Sequence, residues 1–185
     1  MSRPVALVLT FLAVYTPVTS VRAQEYHLVG ASEVYTQVNL HPDEKRQRLY
    51  SVNYQRPGLL PLCTRVRIES VTAKEMIFTL AEGGRKYTYI FHNSLRDPVA
   101  KHLDRYFGVT CNKAKLDGLS RVARDGVLAG QVSSGMSKEA VILAIGFPPE
   151  HATPSLEASA WRYWKNRFNT FLVHFEGDKV SRIQD

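Results

Sequence analysis

One stretch constrains the fold of this chain more than any other. It runs Gly135-Met136-Ser137-Lys138-Glu139-Ala140-Val141, closes at Gly146-Phe147-Pro148 and leads to Trp161-Arg162-Tyr163. Ser137 offers a side-chain oxygen to the free N–H groups of a helix start, so the pattern predicts a helix over residues 138–145. Val141, Leu143, Ala144 and Ile145 make that helix apolar nearly all round, which predicts burial. Gly146 ends it, and Pro148-Pro149 forbids continuation. Residues 160–165 and 170–175 then alternate as two strands around a turn at 166–169. Gly177-Asp178 turns the chain into a third strand at 179–183. An earlier short helix begins at Ser120 and meets Gly126, which reads as an interruption. Together these elements predict a unit over residues 120–185.

The N-terminal half reads as β structure. Tyr50, Val52 and Tyr54 share one strand phase, and Pro57-Gly58 marks a turn. Val66 and Ile68 alternate with Arg65, Arg67 and Glu69. Met76, Phe78 and Leu80 share a second phase, and Tyr87, Tyr89 and Phe91 a third. Gly83-Gly84 between the last two strands is a hairpin signal, because a type I′ turn needs positive φ at both central positions. Asp97-Pro98 predicts a helix start, with Val99, Leu103, Tyr106 and Phe107 on one face and Gly108 as its end. The expectation is four or five short antiparallel strands over residues 24–111. They form either a small SH3-like barrel or a curled meander, with the helix across its open end. Residues 112–119 read as a linker. The fold class is α+β: a small antiparallel β domain, then two helices on a three-stranded antiparallel sheet.

The first 23 residues read as a targeting segment. Arg3 precedes an apolar run from Val5 to Val14, and Val21-Arg22-Ala23 has small residues where a signal peptidase cuts. The run is far shorter than the ~20 residues of a bilayer span. The expected location is a periplasm or outside the cell, with cleavage near Ala23. The formal charge of the 185 residues is +7, and loss of Arg3 and Arg22 leaves +5. That modest, scattered excess suits anionic neighbours such as lipid headgroups, cell-wall polymer or acidic proteins. It lacks the clustering that nucleic-acid binding requires.

Cys63 and Cys111 are the two cysteines. In an exported protein an even count suggests a disulfide, here between the start of a strand and the end of the helix. Two buried free thiols are the alternative.

The motifs of residues 130–183 also carry a resemblance. Gly135-Met136-Ser137, Ile145-Gly146-Phe147-Pro148, Trp161-Arg162-Tyr163, Val173-His174-Phe175 and Gly177-Asp178-Lys179-Val180 resemble the SmpA/OmlA (BamE-like) envelope domain family. The resemblance covers under a third of the chain. It implies two helices against a three-stranded antiparallel sheet. It also implies a role in outer-membrane β-barrel assembly, through partner proteins and anionic phospholipid. Members carry a lipid-anchor cysteine; none lies near the cleavage site here, and the N-terminal β domain is an addition to the family pattern.

No catalytic constellation emerges. His27, His41, His92, His102, His151 and His174 show no metal-binding spacing, and there is no Gly-x-Ser-x-Gly elbow or P-loop. No catalytic residue, cofactor or metal is therefore expected. The candidate site is a surface. If Trp161, Phe171 and Phe175 pack on the helices, strand parity places Arg162, Trp164, Leu172 and His174 on the opposite face. Such a face fits a partner site or contact with the N-terminal domain. The expected function is a non-enzymatic envelope adaptor or scaffold. The alternative is cell-wall (peptidoglycan) binding by the β domain through Tyr87, Tyr89 or Tyr50.

Overall fold

The computed structural model describes residues 26–111 and 113–185. The expected signal segment, 1–23, lies outside the described residues. Six strands of the N-terminal half form one curled sheet: β1 (Val34–Thr36), β2 (Arg48–Tyr50), β3 (Arg65–Val71), β4 (Glu75–Leu80), β5 (Lys86–Ile90) and β6 (Phe107–Gly108). Their order is β2-β5-β4-β3-β1-β6. The central β3-β4-β5 meander is antiparallel, whereas β2 joins β5 in parallel. Gly83 and Gly84 make the β4–β5 turn at φ 71° and 63°, the left-handed pair the hairpin requires. The alternating residues Val66, Ile68, Met76, Phe78, Tyr87 and Tyr89 all point into the core, none more than 2% exposed.

The strand expected over residues 49–54 is shorter. It stops at Tyr50, and Asn53 bends the chain with φ 50°. The helix after Pro98 is also shorter. It spans α1 (Val99–Leu103), and Asp97 makes no capping bond to it. The Asp97 carboxylate instead pairs with Lys101 and Arg105. Phe107 leaves the helical path because β1 has a free edge to satisfy: Thr36 pairs with Phe107 and Tyr35 with Gly108. Phe107 still reaches the core, with its ring 5.6 Å from Phe78.

Cys63 and Cys111 form a disulfide, their Cα atoms 5.0 Å apart. It ties the loop before β3 to the chain just after β6. The stretch expected as a linker contains one helical turn, α2 (Ala114–Asp117).

The C-terminal half has helices α3 (Arg121–Ala129) and α4 (Lys138–Ile145) and a separate antiparallel sheet. The sheet is β7 (Ala160–Trp164), β8 (Thr170–Glu176) and β9 (Lys179–Gln184), in that order. Ser120 and Ser137 cap the two helices by accepting from the Ala123 and Ala140 N–H groups. Gly126 does not interrupt α3. It makes room for Met136, the residue before the α4 cap: a Cβ there would sit 2.6 Å from the Met136 sulfur. Trp161, Tyr163, Val173, Phe175 and Val180 line the inner sheet face. They share one hydrophobic cluster with Ala140, Val141 and Ala144 of α4 and with the core of the six-stranded sheet.

Among the described residues no helix is long and apolar enough to cross a membrane.

Candidate functional site

The two halves meet at the C-terminal end of α4. A helix leaves its last carbonyls without internal partners, and burying them unpaired would be unfavourable. Here the N-terminal half supplies the donors. The Asn39 backbone N–H bonds the Leu143 carbonyl (3.0 Å), and its side-chain amide bonds the carbonyls of Val127 (2.6 Å) and Ala144 (3.1 Å). His41 Nε2 lies 3.1 Å from the same Ala144 oxygen. The Asn53 amide bonds the carbonyls of Ile145 and Phe147, both at 2.8 Å, and the Gln55 amide bonds Ile145 at 2.9 Å. Arg105 bridges Asp97 and Glu150 across the same seam. These contacts seat the N-terminal half beside β7, where the Gln55 N–H bonds the Trp164 carbonyl at 2.8 Å.

That seating decides what remains open on the outer face of the small sheet. Arg162 lies opposite Leu172, which lies opposite Gln184. His174 lies between Ala160 and Arg182. Arg162 is exposed, and Leu172 and His174 are half-buried. The structure thus brings Arg162, Leu172 and His174 together on one face. Trp164 is on the same face but at its margin, its ring 5.2 Å from His151. Sequence reasoning missed Arg182 and Gln184. The His174 imidazole contacts the Gln184 side-chain oxygen at 3.0 Å, and Arg182 donates to that oxygen at the same distance. Simple alternation from Val180 would send Arg182 inward. A β-bulge between His174 and Phe175 inserts Ser181 and reverses the phase.

A second polar feature lies where the halves join. Tyr50, Tyr54, Arg56, His92 and Arg167 line a cavity of about 370 Å³. The two tyrosine rings are 5.2 Å apart and inclined at 58°, and the Arg56 guanidinium lies 5.9 Å over Tyr54. His92 is fixed by its N–H to the Ser51 hydroxyl and by the Ser94 N–H, which donates to Nδ1. With Nδ1 accepting, the neutral ring carries its proton on Nε2. Tyr87 and Tyr89, the other two tyrosines considered for wall binding, are in the core at 0% and 2% exposure. Their rings offer no exposed face to a ligand, whereas Tyr50 lines the cavity just described.

Beneath the junction a buried histidine sets a pH response. His102 is 4% exposed and sits 2.9 Å from the Tyr89 hydroxyl. Burial, aided by the nearby Arg105 charge, pushes its pKa from 6.5 down to about 4. Between those values the unfolded chain binds a proton that the folded chain refuses, so stability rises with pH through this window. Denaturant melts should therefore lose about 3 kcal/mol from this group as pH falls from about 7 to 4. His41 at the seam is shifted in the same direction by burial. His102→Gln isolates the first contribution: its melts should show a flatter dependence on pH over this range. An unchanged slope would exclude His102 as the source.

Among the described residues no three His, Cys, Asp or Glu side chains gather as a metal-binding set. No protein-family model, curated protein or solved structure matches this chain. The fold and surfaces define an α+β chain whose two sheets are joined through the end of α4.

Proposed function

We propose that this protein is an exported, non-enzymatic envelope adaptor that binds an acidic protein or anionic envelope component through the outer face of β7-β8-β9. The observation that carries the reading is the open row Arg162–Leu172–Gln184 beside His174 and Arg182. It combines an apolar centre with cationic flanks, a composition suited to a partner surface. The N-terminal half docks on α4, and among the described residues its backbone bonds to this sheet at Trp164. The targeting segment over residues 1–23 and the SmpA/OmlA-like motifs support a periplasmic or secreted location and a link to outer-membrane protein assembly or envelope integrity. The curled N-terminal sheet, read as an SH3-like barrel, would then be an added interaction module.

Arg162→Glu and Leu172→Glu test the face. Each is expected to change stability by less than about 1 kcal/mol, because Arg162 is exposed and Leu172 is only half-buried. Each should abolish co-purification of the native partner from crosslinked envelopes. Recovery of the same partners with both variants would defeat the reading, and recovery of barrel-assembly proteins with the unaltered chain would support the family role.

The second reading is cell-wall binding, favoured by the cavity at Tyr50. Retention of the protein by purified sacculi, beyond that of an unrelated protein of equal charge, is its test.

A further inference from the structure

We infer that the cavity of Tyr50, Tyr54, Arg56, His92 and Arg167 is a binding site for a sugar carrying a carboxylate or phosphate group. The inference rests on the cell-wall reading and gives it a specific site and ligand chemistry.

Three features point to an anion. Arg56, Arg167 and His92 are three of the five lining residues, and none of the five is acidic. Neither Arg56 nor Arg167 has a carboxylate within 4.0 Å among the described residues. Asp43 feels the charge of Arg56, but its carboxylate is hydrogen-bonded by Arg46. Moreover, the Arg56 Nε–H is buried with no acceptor among the described residues. A buried donor left unpaired is unfavourable, and an anionic oxygen would satisfy it with a charge-assisted bond.

The remaining lining points to a sugar ring. Tyr50 and Tyr54 present tilted faces rather than a parallel slot. A parallel slot would suit a flat base; an inclined pair suits the C–H faces of a puckered ring, with the phenol hydroxyls available to its hydroxyl groups. The volume lies at the small end of ligand cavities, about 300–1,000 Å³, which fits one or two rings.

The site is held in shape by elements from both halves. Asn53 and Gln55 flank Tyr54 and are both anchored to the Ile145 carbonyl at the end of α4, while Arg167 comes from the β7–β8 turn. Ser51 fixes His92. Such anchoring lowers the entropy lost when a ligand binds. Arg56 also lines a second groove with Phe171, but there Lys165 is paired with the Asp185 carboxylate at 2.8 Å, so the anion site is confined to the first cavity.

The test titrates three soluble probes into the full chain, read by NMR of the tyrosine and arginine side chains: a glucuronate-containing disaccharide, glucose 6-phosphate and neutral cellobiose. At least one acidic probe should perturb Tyr50, Tyr54 and Arg167, and bind at least about tenfold more tightly than cellobiose. The stronger of the two identifies carboxylate or phosphate as the source of charge. Arg167→Ala lies in an exposed turn and should fold normally, yet lose about tenfold or more in affinity for that probe. Binding of neither acidic probe at 10-fold excess over about 1 mM protein, equal binding of cellobiose, or full affinity in Arg167→Ala would each overturn the site. Sacculi separate this outcome from the broader reading. If sacculi retain Arg167→Ala as well as the unaltered chain, wall binding stands and this site falls. If an acidic probe binds but sacculi do not retain the protein, the site stands and the wall reading falls.

Discussion

Trp161→Ala is expected to destabilise the fold by about 3–5 kcal/mol, the range for deleting a large buried aromatic. Trp161 is 0% exposed on the inner face of β7 and packs against Phe175 with ring centroids 4.6 Å apart. The Lys138 ammonium lies 5.7 Å from its ring and donates to the Leu156 carbonyl at 2.9 Å. Deleting the indole would leave a void that α4 cannot fill, because Gly135 and Met136 tie the helix start to Val180 of β9. The indole N–H has no acceptor among the described residues. Trp161→Phe removes that unpaired donor and keeps most of the ring, so it should lose less than about half as much. Equilibrium denaturant melts of the two variants check both values. A loss below about 1 kcal/mol for Trp161→Ala would mean that the inner sheet face is not packed as described.

The same strand explains why much of this fold was legible in the sequence and some was not. Burial of Trp161, Tyr163, Val173 and Phe175 follows from two-residue alternation, a local property. The Gly83-Gly84 hairpin and the Ser137 cap are equally local, and both occur where their residues predict. Elements fixed by distant partners were harder to read. Phe107 has helical spacing but becomes a strand residue, because the free edge of β1 lies some seventy residues earlier. Gly126 reads as a helix breaker until Met136 packs against it. Arg182 reads as inward-facing until the bulge at Ser181 resets the phase.

The junction was the least legible part. Asn53 falls in the polar phase of the strand expected over residues 49–54, and Asn39 and Gln55 lie in a stretch without clear periodicity. Their role appears only when α4 presents its open carbonyls, roughly ninety to a hundred residues later. Asn39 is 2% exposed, and its side-chain oxygen also accepts from the Leu62 N–H at 2.7 Å. One amide thus joins the segment before β3 to both α3 and α4. The candidate surface divides the same way. Arg162 and Leu172 follow from parity within one hairpin, whereas the Tyr50 cavity needs residues from three separate stretches.

Breaking the Cys63–Cys111 disulfide is the second large effect expected. The bond spans a sequence separation of 48. On the chain-entropy account, closing such a loop restricts the unfolded ensemble and contributes about 4 kcal/mol. The native chain can hold its shape without the bond in part, because β1 pairs with β6 and the Gln37 side chain bonds the Thr110 carbonyl at 2.8 Å. Cys111→Ser alone and the Cys63→Ser/Cys111→Ser pair should therefore fold, but each should lose about 3–4 kcal/mol. The two losses should agree, since either change removes the same cross-link. Reductant should lower the stability of the unaltered protein by a similar amount and leave the double variant unchanged. Denaturant melts with and without reductant give all four values. A loss under about 1 kcal/mol in both variants would mean that the β1–β6 pairing persists in the unfolded chain and already closes the loop. A loss for Cys111→Ser much larger than for the pair would place the damage in an unpaired Cys63 thiol rather than in the missing cross-link.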